Sequence, residues 1–189
     1  MIGITGGIGS GKSTIAKALV KRGLTVYDCD KEAKRIIAED EEVRKAIVAL
    51  LGEDSFVNGQ YNTAYVAKRV FEDKSLLEQL NGIVHPAVRR DIEKKQPDLV
   101  ESAILFEAGM ADLCEKVIVV EAPEDVRIAR TIARDYKGEA TAENIDKVRA
   151  RIQAQGEFKI QDSEVKIVNN DGKKSVEELA EEVVNWCRK

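Results

Sequence analysis

The residues with the clearest chemical potential lie near the start of the chain, in the stretch GGIGSGKST at residues 6–14. Gly6, Gly11, Lys12 and Ser13 fill the fixed positions of the pattern G-x-x-x-x-G-K-[ST]. Glycines let a backbone wrap around phosphate groups, and the amides at the start of a following helix attract anions. A lysine here can reach the terminal phosphates, and a serine hydroxyl can ligate Mg²⁺. This stretch, called the phosphate loop below, predicts nucleoside triphosphate binding by a set of consecutive residues: Gly7, Ile8, Gly9, Ser10, Gly11, Lys12, Ser13 and Thr14.

The elements on either side of the phosphate loop favour this interpretation. The apolar residues 2–5 predict a short buried strand, and residues 12–19 have a helical pattern. The alternative is a flexible glycine-rich turn that matches by chance. A strand before the loop, a helix after it and four filled positions make that alternative the weaker one.

Two carboxylates, Asp28 and Asp30, follow a second predicted strand at residues 24–27. Ligands of parallel α/β sheets lie at the carboxyl ends of the strands, so we expect this pair to act beside the phosphate loop. The alternative is a surface pair in which Asp30 caps a helix at residues 31–38.

The stretch from residue 39 to about residue 97 has an almost wholly helical pattern, too long for a simple crossover between strands. It predicts an inserted subdomain of short helices at residues 41–51, 63–71 and 74–80, and a last helix that begins at Pro86. His85, the single histidine, is expected just ahead of that last helix. A capping or packing role is the alternative to a ligand contact for this histidine.

Later strands are predicted at residues 98–106, with the continuous apolar run 102–106 ending in Glu107, and at residues 116–120 and 165–168. A helix at residues 124–135 carries Arg127, Arg130 and Arg134 on one face, where they could neutralise charge on a transferring phosphoryl group. A solvated basic stripe is the alternative. Another helix is predicted to end at about residue 155, and Ser175 with Glu178 forms a capping box for the final helix.

The composition describes one domain of ordinary character. The 189 residues carry a net charge of −4, so no global field draws the chain to nucleic acid or to an anionic membrane. Three widely spaced cysteines indicate reduced thiols in a cytoplasmic protein, and Met1 leads directly into the first strand, which leaves no room for a targeting peptide.

Five strands alternating with helices, led by a phosphate loop, predict a three-layer α/β fold of the P-loop NTPase (Rossmann-like) type with a parallel five-stranded sheet. We expect a core at residues 1–30, 98–125 and 156–189, a helical substrate-binding insert at about 31–97 and a lid at about 126–155. Residues 169–172, NNDG, do not match the Asn-Lys-x-Asp motif of GTPases. The insert and the arginine-bearing helix favour a small-molecule kinase.

Nearly the whole chain resembles the dephospho-CoA kinase family. The resemblance is carried by the phosphate loop and by six further segments: VYDCD at 26–30, VF at 70–71, VHP at 84–86, AILFE at 103–107, residues 127–135 of the lid region and NDG at 170–172. It implies ATP-dependent phosphorylation of the ribose 3′-hydroxyl of dephospho-CoA, giving CoA and ADP, with Mg²⁺ present. The family occurs as a trimer or a monomer, so a monomer or weak homo-oligomer is expected.

The resemblance also implies roles for individual residues. Asp30 takes the hydroxyl proton, while Lys12 and the loop amides hold the β- and γ-phosphates. Ser13 binds the metal. The implied acceptor side comprises Asp28, Asp30, Arg35, His85 and Glu107, the nucleotide side adds Arg130 and Asn170, and Arg134 joins Lys12 and Asp30 as catalytic.

The chain departs from the family pattern in three places: Lys34 stands where an arginine is common, with Arg35 next to it; residues 104–107 vary the usual strand end; and residues 164–168 replace the usual segment before the last turn. Two other functions remain open from the sequence. One is a kinase for another small hydroxyl compound or nucleoside monophosphate, and the other is a non-catalytic nucleotide-binding switch.

Overall fold

The computed structural model describes residues 1–155 and 164–188. The chain divides into two compact units, one formed by Met1–Tyr27 with Pro97–Lys189 and the other by Asp28–Gln96. The predicted division into core, insert and lid concerns function, and it stays a prediction.

The described residues form seven strands and eight α-helices. The strands are β1 (Ile2–Gly6), β2 (Val26–Asp28), β3 (Phe56–Val57), β4 (Gln60–Tyr61), β5 (Leu99–Glu101), β6 (Lys116–Glu121) and β7 (Glu164–Asn169). The helices are α1 (Lys12–Val20), α2 (Cys29–Glu39), α3 (Glu41–Leu51), α4 (Thr63–Glu72), α5 (Lys74–Lys95), α6 (Glu124–Asp135), α7 (Ala142–Gln155) and α8 (Val176–Cys187).

The main sheet has the strand order β2-β5-β1-β6-β7 within the described residues. β1 pairs in parallel with β5 and with β6, and β6 pairs in parallel with β7. The register sets Ile4 opposite Glu101 on one side and opposite Ile118 on the other. The predicted parallel α/β sheet with flanking helices is confirmed.

One face of this sheet is covered by α1 and α8. Their buried residues, such as Ile15, Leu19 and Leu179, form one core cluster with Ile4 and Ile118 of the central strands. Full burial of side chains of this size stabilises a fold by roughly 1.5–3 kcal/mol each. Because the cluster includes Ile4 of β1 and Ile15 of α1, it holds together the two elements that the phosphate loop connects.

Helices α6 and α7 form a second apolar cluster. Ile128 and Ile132 of α6 pack with Val148 and Ile152 of α7, and Ile8 of the phosphate loop packs against them. α6 spans Glu124–Asp135, as the sequence predicts, and its acidic first turn and basic last turn match the helix dipole.

The second unit consists of α2 to α5 and the hairpin of β3 and β4, which turns at Asn58 and Gly59. The predicted break before Pro86 is wrong, because α5 runs unbroken from Lys74 to Lys95 with Pro86 inside it. Proline inside a helix costs about 3 kcal/mol. The apolar side chains of Leu80, Val84, Val88 and Ile92 are buried on both sides of Pro86 and favour a continuous helix.

Two further predictions of local structure are wrong in their bounds. The strand expected at residues 98–106 is shorter than predicted, because it spans only Leu99–Glu101 and residues 103–109 are turns. The helix expected to start after Asp30 begins at Cys29, and Asp28 caps it by accepting a hydrogen bond from the Lys31 amide at 3.0 Å. The capping box of Ser175 and Glu178 is confirmed.

In the part of the chain that the structure describes, no helix combines the length and the apolar character that a membrane crossing requires.

Candidate active site

The phosphate loop connects the end of β1 with the start of α1. Gly11 caps α1 in the left-handed region at φ 91° and supplies no side-chain hydrogen bond to the first turn. A Cβ at Gly9 would lie 2.3 Å from the Arg127 carbonyl oxygen, and one at Gly11 would lie 2.3 Å from Asn170 Nδ2. The loop therefore needs glycine at both positions, and it leaves the first amides of α1 for an anion.

A cavity of about 510 Å³ lies over the loop and the start of α1. The predicted residues that line it are Gly7, Gly9, Gly11, Lys12, Ser13, Thr14, Arg130, Arg134 and Asn170, joined by Lys17 and Val176. Four basic side chains therefore surround a cavity in a chain whose net charge is −4. This local positive field suits a polyphosphate.

Glu101, which the sequence interpretation missed, lies beside the two polar residues at the start of α1. The Ser13 hydroxyl donates to Glu101 Oε1 at 2.5 Å, and Lys12 Nζ is 4.0 Å from the same oxygen. The Glu101 side chain is only 9% exposed. Hydroxyl and carboxylate oxygens are the ligands Mg²⁺ takes, so Ser13 and Glu101 fit this ion. The predicted strand ran on to residue 106, so the sequence placed the acid of the strand end at Glu107, whereas the strand ends at Glu101.

Two arginines of α6 donate hydrogen bonds to backbone carbonyls of the phosphate loop. Arg127 Nε donates to the Ile8 carbonyl at 2.9 Å, and Arg130 Nη1 donates to the Ser10 carbonyl at 3.2 Å. Burial lowers the pKa of Arg127. Asn170 Nδ2 donates to the same Ser10 carbonyl at 2.8 Å, and its Oδ1 accepts from Arg130 at 3.3 Å. Both Arg130 and Asn170 therefore brace the loop while they line the cavity.

Arg134 differs from the other two arginines. Its Nε donates to Asp135 Oδ1 at 2.6 Å, which raises the pKa of Arg134, and the side chain is 61% exposed. It is the arginine of this helix that lines the cavity with a mostly exposed side chain.

Gln155, at the end of α7, is a second residue that the sequence interpretation missed. Its Oε1 accepts a hydrogen bond from the Ile8 amide at 2.9 Å, and its Nε2 donates to the Ala103 carbonyl at 3.4 Å. The contact joins residues 147 positions apart, so no local pattern could reveal it.

The predicted acceptor-side residues Asp28, Asp30, Arg35 and His85 belong to the second unit. Asp28 is engaged as the cap of α2, whereas Asp30 is exposed in the first turn of that helix. Arg35 donates to Glu32 at 2.7 Å, to Glu39 at 3.0 Å and to Asp91 at 2.7 Å. Any ligand of Arg35 would have to compete with these three carboxylates.

His85 and Glu107 do not have the surroundings that were expected of them. His85 lies within α5 and is half-buried, and this burial lowers its pKa, so the imidazole is neutral at pH 7. Glu107 lies on an exposed turn of the first unit and not at a strand end.

A parallel α/β sheet whose first strand runs through this loop into a helix N-terminus defines a P-loop nucleotide-binding protein. The family model described as dephospho-CoA kinase matches residues 1–175. The chain belongs to the dephospho-CoA kinase family.

Individual relatives agree with this assignment. The chain is 45% identical over 140 residues to dephospho-CoA kinase of Porphyromonas gingivalis, covering 71% of this chain and 69% of the relative. It is 37% identical over 194 residues to that of Fusobacterium nucleatum, covering 99% and 96%. The crystal structure of TT1252 from Thermus thermophilus aligns with a TM-score of 0.77 at 32% identity, over 98% of this chain and 95% of that one.

Proposed function

We propose that this protein transfers the γ-phosphoryl group of ATP to the 3′-hydroxyl of the ribose of dephospho-CoA, giving CoA and ADP. This is the last step of CoA biosynthesis. The observation that carries the proposal is the match of the dephospho-CoA kinase model to residues 1–175. A phosphate loop alone is common to many enzymes, so the acceptor is inferred from the family.

On the donor side, the loop amides and Lys12 hold the β- and γ-phosphates. Their convergence on a cavity that Arg130 and Arg134 also line supports this role. Phosphoryl transfer depends mainly on positioning and on neutralising charge on the transferred group. Arg134, with its exposed side chain, is the proposed contact to that group, while Arg130 and Asn170 brace the loop through the Ser10 carbonyl.

On the acceptor side, Asp30 accepts the proton of the ribose hydroxyl. Its exposed carboxylate favours it over Asp28, whose Oδ1 is engaged with the Lys31 amide. Arg35, His85 and Glu107 are proposed to contact dephospho-CoA.

Mg²⁺ would be held by Ser13, with Glu101 orienting the hydroxyl, and it would neutralise the phosphate oxygens. We further propose a cytoplasmic enzyme that is a monomer or a weak homo-oligomer, a trimer included. Light scattering over a range of protein concentrations tests the oligomeric state.

A coupled assay of ADP release with Mg-ATP tests the reaction, with dephospho-CoA added or withheld and nucleoside monophosphates run in parallel. We expect strong stimulation by dephospho-CoA alone, and mass spectrometry of a product heavier by one phosphate. Stimulation by another acceptor would overturn the substrate. Slow ADP release regardless of acceptor would instead favour a nucleotide switch.

Two variants test the roles. Lys12→Ala should lower kcat by roughly 10²-fold or more, as loss of a transition-state donor does.

Asp30→Asn should lower kcat and leave the KM for ATP unchanged. If ATP binding collapses in Asp30→Asn while bound substrate still turns over, Asp28 becomes the better candidate base.

A further inference from the structure

Both backbone polar groups of Ile8 are held by side chains from outside the phosphate loop. Gln155 of α7 accepts from the Ile8 amide at 2.9 Å, and Arg127 of α6 donates to the Ile8 carbonyl at 2.9 Å. The Ile8 side chain packs against the apolar cluster that the two helices share. This one residue therefore fixes the start of the loop to both α6 and α7.

The residues of these contacts, Ile8, Gln155 and Arg127, are not among the described residues that line the phosphate cavity, whereas Gly7 and Gly9, the neighbours of Ile8, line it. A loop that presents successive amides to an anion needs other hydrogen-bond partners for its remaining backbone polar groups. Gln155 is that partner for the Ile8 amide, and it does not line the cavity in which the nucleotide would bind.

Gln155 also connects the loop to the turn that follows β5. Its Nε2 donates to the Ala103 carbonyl, two residues beyond Glu101, the acid bound to Ser13. One side chain thus ties α7, the first peptide units of the phosphate loop and the chain just after Glu101.

We propose that Gln155 is a positioning residue for nucleotide binding, which acts by fixing the orientation of the Ile8 peptide. It couples α7, and through Ile8 also α6, to the shape of the phosphate loop. The inference rests on the proposed function only in taking ATP as the nucleotide. Nothing in it depends on the acceptor.

Gln155→Ala deletes both hydrogen bonds and leaves the Ile8 amide without its partner. We expect roughly a three- to tenfold weakening of ATP binding, the range that loss of one net hydrogen bond gives. The KM for dephospho-CoA should not change. Gln153→Ala is the matched control, because Gln153 is an exposed glutamine on the same helix.

Three readouts separate positioning from a merely structural role. Calorimetric titration with ATP in the absence of acceptor gives the affinity, amide hydrogen exchange at Ile8 reports the contact itself, and urea unfolding gives the stability. We expect fast exchange at Ile8 in Gln155→Ala. Gln155→Glu keeps an oxygen acceptor for this amide and should keep it protected. This variant also serves if Gln155→Ala does not fold.

An ATP affinity equal to wild type in Gln155→Ala, or an Ile8 amide that exchanges equally fast in wild type and variant, would overturn the inference. The same holds if affinity and stability fall equally in Gln155→Ala and Gln153→Ala. Wild-type protein that binds ATP but transfers nothing to dephospho-CoA would overturn the proposed function instead, and the two failures are therefore distinguishable.

Discussion

At the scale of single residues, the buried carboxylate of Glu101 contacts both polar side chains at the start of α1, those of Lys12 and Ser13. It accepts a hydrogen bond from the Ser13 hydroxyl and lies within ion-pair distance of Lys12. A buried charge of this kind is tolerated because it is paired, and its removal disturbs both partners. A substitution of Glu101 therefore tests the proposed metal site without changing the backbone of the phosphate loop.

Glu101→Gln should lower kcat/KM by roughly ten- to hundredfold, the usual effect of removing a residue that orients a metal ligand. The amide keeps the size of the side chain but loses the charge that orients Ser13. Initial rates measured across a Mg²⁺ titration should show a higher Mg²⁺ requirement. Glu121→Gln, at the exposed end of β6, is the control. An unchanged Mg²⁺ profile in Glu101→Gln would remove this acid from the metal site.

His85 provides a prediction about pH. Burial lowers its pKa below the usual 6.5, so the unfolded chain binds the proton more readily than the folded one. Its contribution to the free energy of unfolding is therefore complete above about pH 6.5 and is lost as the pH falls through and below that value. Urea unfolding at pH 7.5 and pH 5.5 should show a smaller loss of stability in His85→Gln than in wild type. Equal losses would contradict the assignment.

At the scale of elements, Arg35 joins α2 to α5 within the second unit. It donates to Glu32 and Glu39 on its own helix and to Asp91 on α5, and Lys95 of α5 also bonds Glu32, at 2.6 Å. The hydrogen bonds from Lys95 and Arg35 lower the pKa of Glu32. This network supports the packing of two helices, while the sequence interpretation assigned Arg35 to the substrate.

Arg35→Gln should reduce the free energy of unfolding by about 1 kcal/mol, the upper range for a partly exposed pair, since Lys95 remains to neutralise Glu32. Lys45→Gln, which breaks a largely exposed pair with Glu41, should change little. Chemical denaturation measures both. A large rise in the KM for dephospho-CoA without loss of stability would instead support the proposed contact of Arg35 with the substrate and contradict its role in helix packing.

The sequence could predict those elements whose signals are local. The phosphate loop, the bounds of α6 and the cap of α8 follow from fixed spacing, helical periodicity and a capping box. The apolar run at residues 102–106 predicted a strand where the chain forms a turn, because a turn can also bury apolar side chains. Leu105 is fully buried there and Ile104 is 41% exposed. Burial alone does not distinguish a strand from a turn.

The supports of the site could not be predicted because they depend on tertiary neighbours. Glu101 meets Ser13 across 88 positions, and Gln155 meets Ile8 across 147. Pro86 illustrates the same limit within a helix, since the local signal for a break is outweighed by apolar side chains buried on both sides of it.

At the scale of the whole molecule, the two compact units allow the proposed roles to be examined separately. The first unit contains the phosphate loop, Glu101 and the arginines of α6, and the second contains Asp30, Arg35 and His85. If nucleotide and acceptor are bound mainly by different units, each ligand should leave its own pattern of protection from hydrogen exchange.

We expect a non-hydrolysable ATP analogue with Mg²⁺ to slow exchange in the phosphate loop, α1 and α6, and dephospho-CoA to slow it within residues 28–96. A ligand at one hundred times its Kd stabilises the folded state by about 2.7 kcal/mol, enough to measure by hydrogen exchange and by Tm. Lys12→Ala should lose the protection by nucleotide and keep that by dephospho-CoA. Protection by dephospho-CoA confined to the first unit would show that residues 28–96 do not bind the acceptor, because only direct contact or ordering slows exchange there.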